Sequence, residues 1–318
     1  MAVFAKKLTI FVTMGNLVSL KKLLFQSYLR MPLNRAIFNF IKKRQVPQYK
    51  IRKYLRFRGI FDLEYRDKAP IRLMNYGNTI ENELFWLGAK GWEANALELW
   101  GSLCEQSNVI LDIGANTGLY TLIASTVNPV AQVYAFEPMP EVFRRLAYNV
   151  KLNNINPVLL PFALADVEGQ AAIYVADTIS ETYDQATLNP EHASRVASSS
   201  TTIKKKKLDS FIKENGIKCV DLVKLDVETF EPQVMKGFEH YLHEFQPSIL
   251  IEILNERVAD EIRIIVKGLD YEYYRIDEPT GYVRQTALEI PKRGSNFLML
   301  NKKKHTIVKA MLNSLPAS

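Results

Sequence analysis

The segment Val109-Ile-Leu-Asp-Ile-Gly-Ala-Asn-Thr-Gly118 holds the residue types and spacing best suited to chemistry. An apolar run delivers Asp112, and Gly114 and Gly118 then let the backbone pass close to a ligand as a helix begins. The spacing is Asp-x-Gly-x-x-x-Gly, whereas a nicotinamide dinucleotide requires Gly-x-Gly-x-x-Gly. Ala115 and Asn116 stand where the second glycine would fall, so the turn has no cradle for a pyrophosphate. Gly114, Asn116 and Gly118 are therefore read as contacts to a ligand that lacks one. The next apolar run, Gln132–Phe136, ends in Glu137, and a carboxylate at that strand tip can accept both hydroxyls of an adenosine ribose. Asp166 follows the run Val158–Ala163 and is suited to accept from an adenine amino group. An amine, a ribose diol and an adenine occur together in S-adenosylmethionine, the cofactor these acids suit. Capping of the following helix would account for one such acid more readily than for three.

A second group of ionisable residues lies along Leu222–Val227, where Lys224, Asp226 and Glu228 share one face if the chain is extended. Three such groups in an apolar interior would be costly, so they are expected at the strand's carboxyl end, facing the ligand crevice. Methyl transfer to a hydroxyl requires the oxygen to lose its proton as the methyl carbon is attacked, and a nearby carboxylate can take it. Asp226 and Glu228 are candidates for that base, with Glu252 at the end of the next run as a third. Lys224 is expected to pair with a neighbouring acid. Structural ion pairing near the sheet edge is the competing reading of this group. The acids match no metal-binding spacing, and no metal is assigned, although a divalent ion holding the acceptor oxygen is a conceivable use of them. His192, in the loop Asp177–Thr202, is given no role.

These residues need a scaffold, and the hydropathy pattern supplies one. Short apolar runs at Val109–Ile113, Gln132–Phe136, Val158–Ala163, Leu222–Val227 and Ile249–Ile253 alternate with helical patterns at Gly118–Ser125, Glu141–Asn153, Gln233–His243 and Val258–Lys267. That rhythm is an α/β fold with a mostly parallel sheet covered on both faces. Tyr271–Ile276 and Asn296–Leu300 read as two further strands. Upstream, residues 59–107 form a lead-in: short strands with turns, then a mostly helical stretch from Thr79 to Cys104. The expected division is a basic amphipathic extension at 1–58, the lead-in at 59–107, the main domain at 108–301 and a basic tail at 302–318.

Charge is unevenly spread over the 318 residues. Of 41 Lys and Arg, fourteen fall in Met1–Arg58, which holds no acid, leaving 27 bases against 34 acids elsewhere. A basic arm on an acidic body is not the pattern of a nucleic-acid-binding surface. Bulky residues interleave with the bases, as in Ile37, Phe38, Phe40 and Ile41 beside Arg35, Lys42, Lys43 and Arg44. Such segments can lie on an anionic leaflet, or they can cap the body with their bases in water. The apolar stretch Leu8–Met14 lacks a cleavage signal, and no run is long enough to span a bilayer. Two cysteines, Cys104 and Cys219, build neither a disulfide scaffold nor a zinc site, which favours a cytoplasmic location, peripheral at a membrane if the arm binds lipid.

Across Val109 to Leu300 the chain resembles the FkbM family of S-adenosylmethionine-dependent methyltransferases. The likeness lies in Leu111-Asp-Ile-Gly-Ala-Asn-Thr-Gly118, Ala135-Phe-Glu-Pro138, Ala163-Leu-Ala-Asp166 with Glu168-Gly169, Leu208-Asp-Ser-Phe211, Leu222-Val-Lys-Leu-Asp-Val-Glu228 and Ser295-Asn-Phe-Leu298. The resemblance implies a Rossmann-like class I methyltransferase fold, with a seven-stranded sheet whose last strand is antiparallel. It also implies cofactor contacts at Asp112, Gly114, Glu137 and Asp166. Thr229-Phe-Glu231 stands where the family usually has Gly-x-Glu, so the backbone of that turn is expected to differ. The reading is O-methylation of a hydroxyl, on a sugar of a polysaccharide or glycolipid. Its rivals are a non-catalytic membrane-docked module that keeps the fold and an NAD-dependent oxidoreductase.

Overall fold

The computed structural model describes residues 24, 27–31, 33–175, 186–187, 199–278, 280–291 and 295–314. His192 and the Leu8–Met14 stretch lie outside them.

The lead-in begins with helix α1 (Asn34–Arg44) and the single turn α2 (Tyr49–Arg52), followed by an antiparallel hairpin of β1 (Gly59–Leu63) and β2 (Ile71–Asn75). Next come α3 (Thr79–Leu87), a tight turn at Gly88–Gly91 and α4 (Ala94–Cys104). The stretch expected to be mostly helical is thus broken in its middle. Gly91 permits the break, because a Cβ there would lie 2.2 Å from the Glu83 carbonyl oxygen.

The main body alternates strand and helix. β3 (Val109–Ile113), α5 (Leu119–Val127), β4 (Gln132–Phe136), α6 (Pro140–Asn153) and β5 (Val158–Leu160) form its first half. A side sheet follows, made of β6 (Ala163–Leu164), β7 (Gly169–Val175), β8 (Ala186–Thr187) and β9 (Ser199–Lys206). The second half holds α7 (Leu208–Glu214), β10 (Leu222–Leu225), α8 (Glu231–Lys236), α9 (Glu239–Phe245), β11 (Ser248–Ile253) and α10 (Glu256–Ile265). It closes with β12 (Tyr271–Asp277), β13 (Gly281–Gln285), β14 (Ser295–Asn301) and α11 (Thr306–Asn313).

The main sheet has the order β13-β12-β14-β11-β10-β3-β4-β5. Its centre is parallel, and β14 runs antiparallel to both β11 and β12. Seven of the strands match the expectation. The eighth, β13, folds back on β12 through a turn where Gly281 takes φ +95°. The run Val158–Ala163 is not one strand. Pro161 has no N–H to donate, and the chain leaves the main sheet there, so β5 stays on that sheet while β6 joins β9. Alternation along β3 separates two cores. Ile110 faces Trp100, Leu122 and Leu250, whereas Leu111 and Ile113 join Val223, Ile251 and Val258 on the other side.

The described part of the 1–58 extension is packed on the body. Leu29 is fully buried against Gly77, Phe38 meets Phe57 and Trp86 ring to ring, and Arg52 pairs with Glu83 at 2.7 Å. At the other end Lys304 donates to the Val220 carbonyl and to Asp221, while α11 buries Val308 and Leu312. The basic stretch Lys302–Lys304 is therefore partly spent on internal contacts. Among the described residues no helix is long and apolar enough to cross a membrane.

Candidate cofactor and acceptor site

The chain winds one way from β3 to β4 and β5, and the other way to β10 and β11. Ligands of open α/β sheets bind at the carboxyl ends of the strands where the winding reverses. A cavity of about 360 Å³ lies there. In sheet order it meets Glu252 of β11, Asp226 after β10, Gly114 after β3 and Glu137 after β4. The side sheet adds Ala163, Leu164 and Ile173, and the lead-in adds Thr79, Ile80, Trp92 and Glu93. Toward β4 and the side sheet it is mostly apolar with Glu137, and toward β10 and β11 it carries Glu93, Asp226, Glu228 and Glu252.

The turn after β3 is set by backbone geometry. The amides of Gly114 and Ala115 both donate to the Phe136 carbonyl at 3.0 Å, tying β3 to β4. Gly114 takes φ +84°, and a Cβ there would fall 1.8 Å from the Asp226 carbonyl oxygen, so only glycine fits. Gly118 serves packing, since its Cβ would meet Leu146 Cδ1 at 2.5 Å, and it is not a lining residue. Asn116, in the left-handed region at φ +50°, lines the cavity and donates its amide to Glu137 Oε2 at 3.0 Å. The Met139 amide donates to Glu137 Oε1 at 2.9 Å. Two amides thus fix the Glu137 carboxylate, and each oxygen keeps a second lone pair for a ligand. Burial raises its pKa to about 7 against the pull of those two amides.

Asp112 sits differently. It is buried, accepts from the Thr121 hydroxyl at the start of α5 and does not line the cavity. Burial raises its pKa to about 6. Asp166 is half-buried just beyond β6 and is likewise not a lining residue. Of the six residues read as cofactor contacts, Gly114, Asn116 and Glu137 come together at the cavity. Asp112, Gly118 and Asp166 stand behind or beside it.

All three candidate bases line the cavity. β10 ends at Leu225, so the strand face does not extend to Glu228; Lys224 and Asp226 stay together through their hydrogen bond across the strand end. Glu228 and Thr229 take φ of +54° and +72°, which an extended strand cannot accommodate. The Glu231 carboxylate accepts the Val227 amide at 3.0 Å and fastens the turn. Thr229 thus occupies a left-handed conformation that favours glycine, a strain of order 1–3 kcal/mol held at the cavity edge.

Lys224 is 1% exposed, and its Nζ donates to Asp226 Oδ2 at 3.1 Å. The ammonium also lies 4.8 Å from the centre of the Tyr120 ring. Burial works against its charge, but Asp226, then Glu93 and Glu252, hold it protonated, with its pKa above the ordinary lysine value. Burial, then the neighbouring Asp226, pushes Glu252 up to about 9. That shift favours the protonated form of Glu252 over a ready proton acceptor. No group of three metal-ligating side chains among the described residues is arranged to hold an ion.

Glu93 and Tyr120 complete this end, and the sequence reading missed both. Tyr120 donates to Glu93 Oε2 at 2.6 Å, and Asn296 of β14 donates to Oε1 at 3.0 Å. Glu93 stands in the left-handed region just before α4. The pair Gly88 and Gly91 was the available sign that the helix breaks and delivers Glu93 to the cavity.

The arrangement fits S-adenosylmethionine on its own terms. Apolar Phe162, Leu164 and Ile173 offer a slot for a flat ring, and Glu137 offers an oriented acceptor for a diol.

The profile of the methyltransferase FkbM domain matches residues 112–273. A protein named Methyltransferase 1 from Beauveria bassiana is 24% identical over 162 residues, covering 46% of this chain and 65% of that protein. Hexuronic acid methyltransferase AglP from Haloferax volcanii is 26% identical over 162 residues, covering 51% of this chain and 62% of that protein. The chain thus spans less than two thirds of either relative. The crystal structure of methyltransferase FkbM from Methylobacillus flagellatus aligns with a TM-score of 0.41 at 14% identity, over 61% of this chain and 44% of that one.

Proposed function

Since the chain belongs to the FkbM methyltransferase family, we propose that it methylates a hydroxyl of a sugar, using S-adenosylmethionine and an acceptor held at a membrane surface. The observation that carries this reading is the cavity itself, with the amide-held Glu137 toward one end and the Lys224–Asp226 pair at the other. When bound, the cofactor supplies an electrophilic methyl group on a sulfonium. Gly114, Asn116 and Glu137 would hold it, Glu137 through the ribose hydroxyls.

The remaining work belongs to the acidic end. Asp226 is the group suited to take the proton of a hydroxyl presented there, because the Lys224 ammonium donates to it and holds it in place. Glu252, protonated, can donate a hydrogen bond to a second oxygen of the acceptor. Glu228 is the alternative base. A polyhydroxylated acceptor suits several polar groups converging in one cavity, and similarity to a protein named for hexuronic acid methylation supports a sugar. The test is transfer of labelled methyl groups to a panel of glycans and glycolipids. Activity on sugar hydroxyls that falls in Asp226→Asn supports the reading, and transfer only to amines or carbon centres refutes it.

A further inference from the structure

The described part of the basic arm has two faces. Its inner face holds the body: Lys42 donates to the Phe85 carbonyl, Arg52 pairs with Glu83, and Arg56 donates to the Gly77 carbonyl at 2.8 Å. Its outer face is apolar and basic together. Nine of the sixteen large apolar side chains exposed among the described residues fall between Leu24 and Tyr54. Leu33, Ile37 and Phe40 are 66%, 48% and 56% exposed. At about 100° per residue, Ile37, Phe40 and Arg44 of α1, with Leu33 at its N-cap, lie within one arc of roughly 60°. The buried Asn34 and Phe38 point well away from that arc. Arg44 stacks on Phe40 with its guanidinium 4.1 Å from the ring centre. Farther along, exposed Tyr49, Ile51 and Tyr54 surround exposed Lys50.

We propose that this outer face docks the protein on an anionic lipid bilayer, with α1 lying in the headgroup plane. Charge complementarity names the partner: Arg30, Arg35, Lys43, Arg44, Lys50 and Arg58 are exposed, and no acid occurs anywhere in Met1–Arg58. Aliphatic side chains among those bases distinguish it from a nucleic-acid surface, which has no use for exposed Leu33 and Ile37. The inner face of the same arm reaches the wall of the cavity. Arg56 reaches Thr79 Oγ1 at 3.3 Å, and Thr79 and Ile80 line the cavity. Docking would hold the cavity close to the lipid plane, so the matching acceptor is a hydroxyl carried on a lipid. That acceptor rests on the proposed function; the docking does not.

The experiment is co-sedimentation of the full chain with vesicles of phosphatidylcholine alone or mixed with phosphatidylglycerol. Binding is expected to the mixed vesicles only, to weaken as salt rises, and to fall at least about tenfold in Ile37→Glu/Phe40→Glu. Lys43→Glu/Arg44→Glu should fall similarly, which decides the matter if the first variant does not fold. Both variants should bind S-adenosylmethionine like the parent. The proposal is overturned if the parent ignores both vesicles, binds both alike, or binds no more tightly than either variant. It is equally overturned if the face proves to hold duplex nucleic acid or a second copy of the chain while vesicles are ignored. Vesicle binding without cofactor binding would instead sink the proposed function and leave the docking intact.

Discussion

Glu137→Gln should change the pH dependence of stability in a way that follows from how the carboxylate is buried. In the folded chain Glu137 is 7% exposed and its pKa is raised to about 7, from an ordinary 4.5. A raised acid binds its proton more tightly when folded, so its contribution is complete below about pH 4.5 and is lost as pH climbs through 7. The full shift corresponds to about 3 kcal/mol, and about 2–3 kcal/mol of it is lost between pH 5 and pH 8. The substituted glutamine cannot titrate. It also has one acceptor oxygen where two amides, of Asn116 and Met139, seek one each, which costs about 1–3 kcal/mol at every pH. The variant should therefore be the less stable protein at pH 5 and close to the parent at pH 8. Urea denaturation of both at the two pH values measures this, and the raised pKa values of Asp112, Glu231 and Glu252 cancel because both proteins share them. A destabilisation that is the same at both pH values would refute the reasoning.

Asp226→Asn should keep cofactor affinity and lower kcat by about 100-fold; unchanged turnover moves the base to Glu228. Thr229→Gly should raise stability by about 1 kcal/mol in denaturant titration, because glycine relieves the left-handed strain at a modest entropic cost. Glu93, Asp226 and Glu228 against the single ammonium of Lys224 at the acceptor end should disfavour anionic acceptors. Turnover of a sugar acid should be at least about tenfold below that of its neutral counterpart, in contrast to the relative named for a hexuronic acid.

The central part of the fold was legible because Val109–Ile113 and Gln132–Phe136 are short apolar runs bounded by turns, and their periodicity survives any packing. Pro161 marked the end of β5, but a run of apolar residues on both sides of it reads as continuous. The extra edge strand β13 is polar and only partly buried, so hydropathy offers little to find it. At the site, Gly114 and Glu137 carried strong local signals and line the cavity, whereas Asp112 and Gly118 carried equally strong ones and stand behind it, Asp112 bonded to Thr121 and Gly118 against Leu146. A motif says which residues cluster at a turn, not which atoms face the cavity. Glu93 was harder to read, because the glycines Gly88 and Gly91 mark a break in the helix without saying which side chain the break delivers to the cavity.

The most direct test is calorimetric titration of the protein with S-adenosylmethionine, beside Glu137→Ala. The parent should bind the cofactor at one site, and the variant should lose about 2–3 kcal/mol, or about 30- to 150-fold in affinity, with the ribose hydrogen bonds. No binding by the parent, or equal binding by both proteins, would contradict the account.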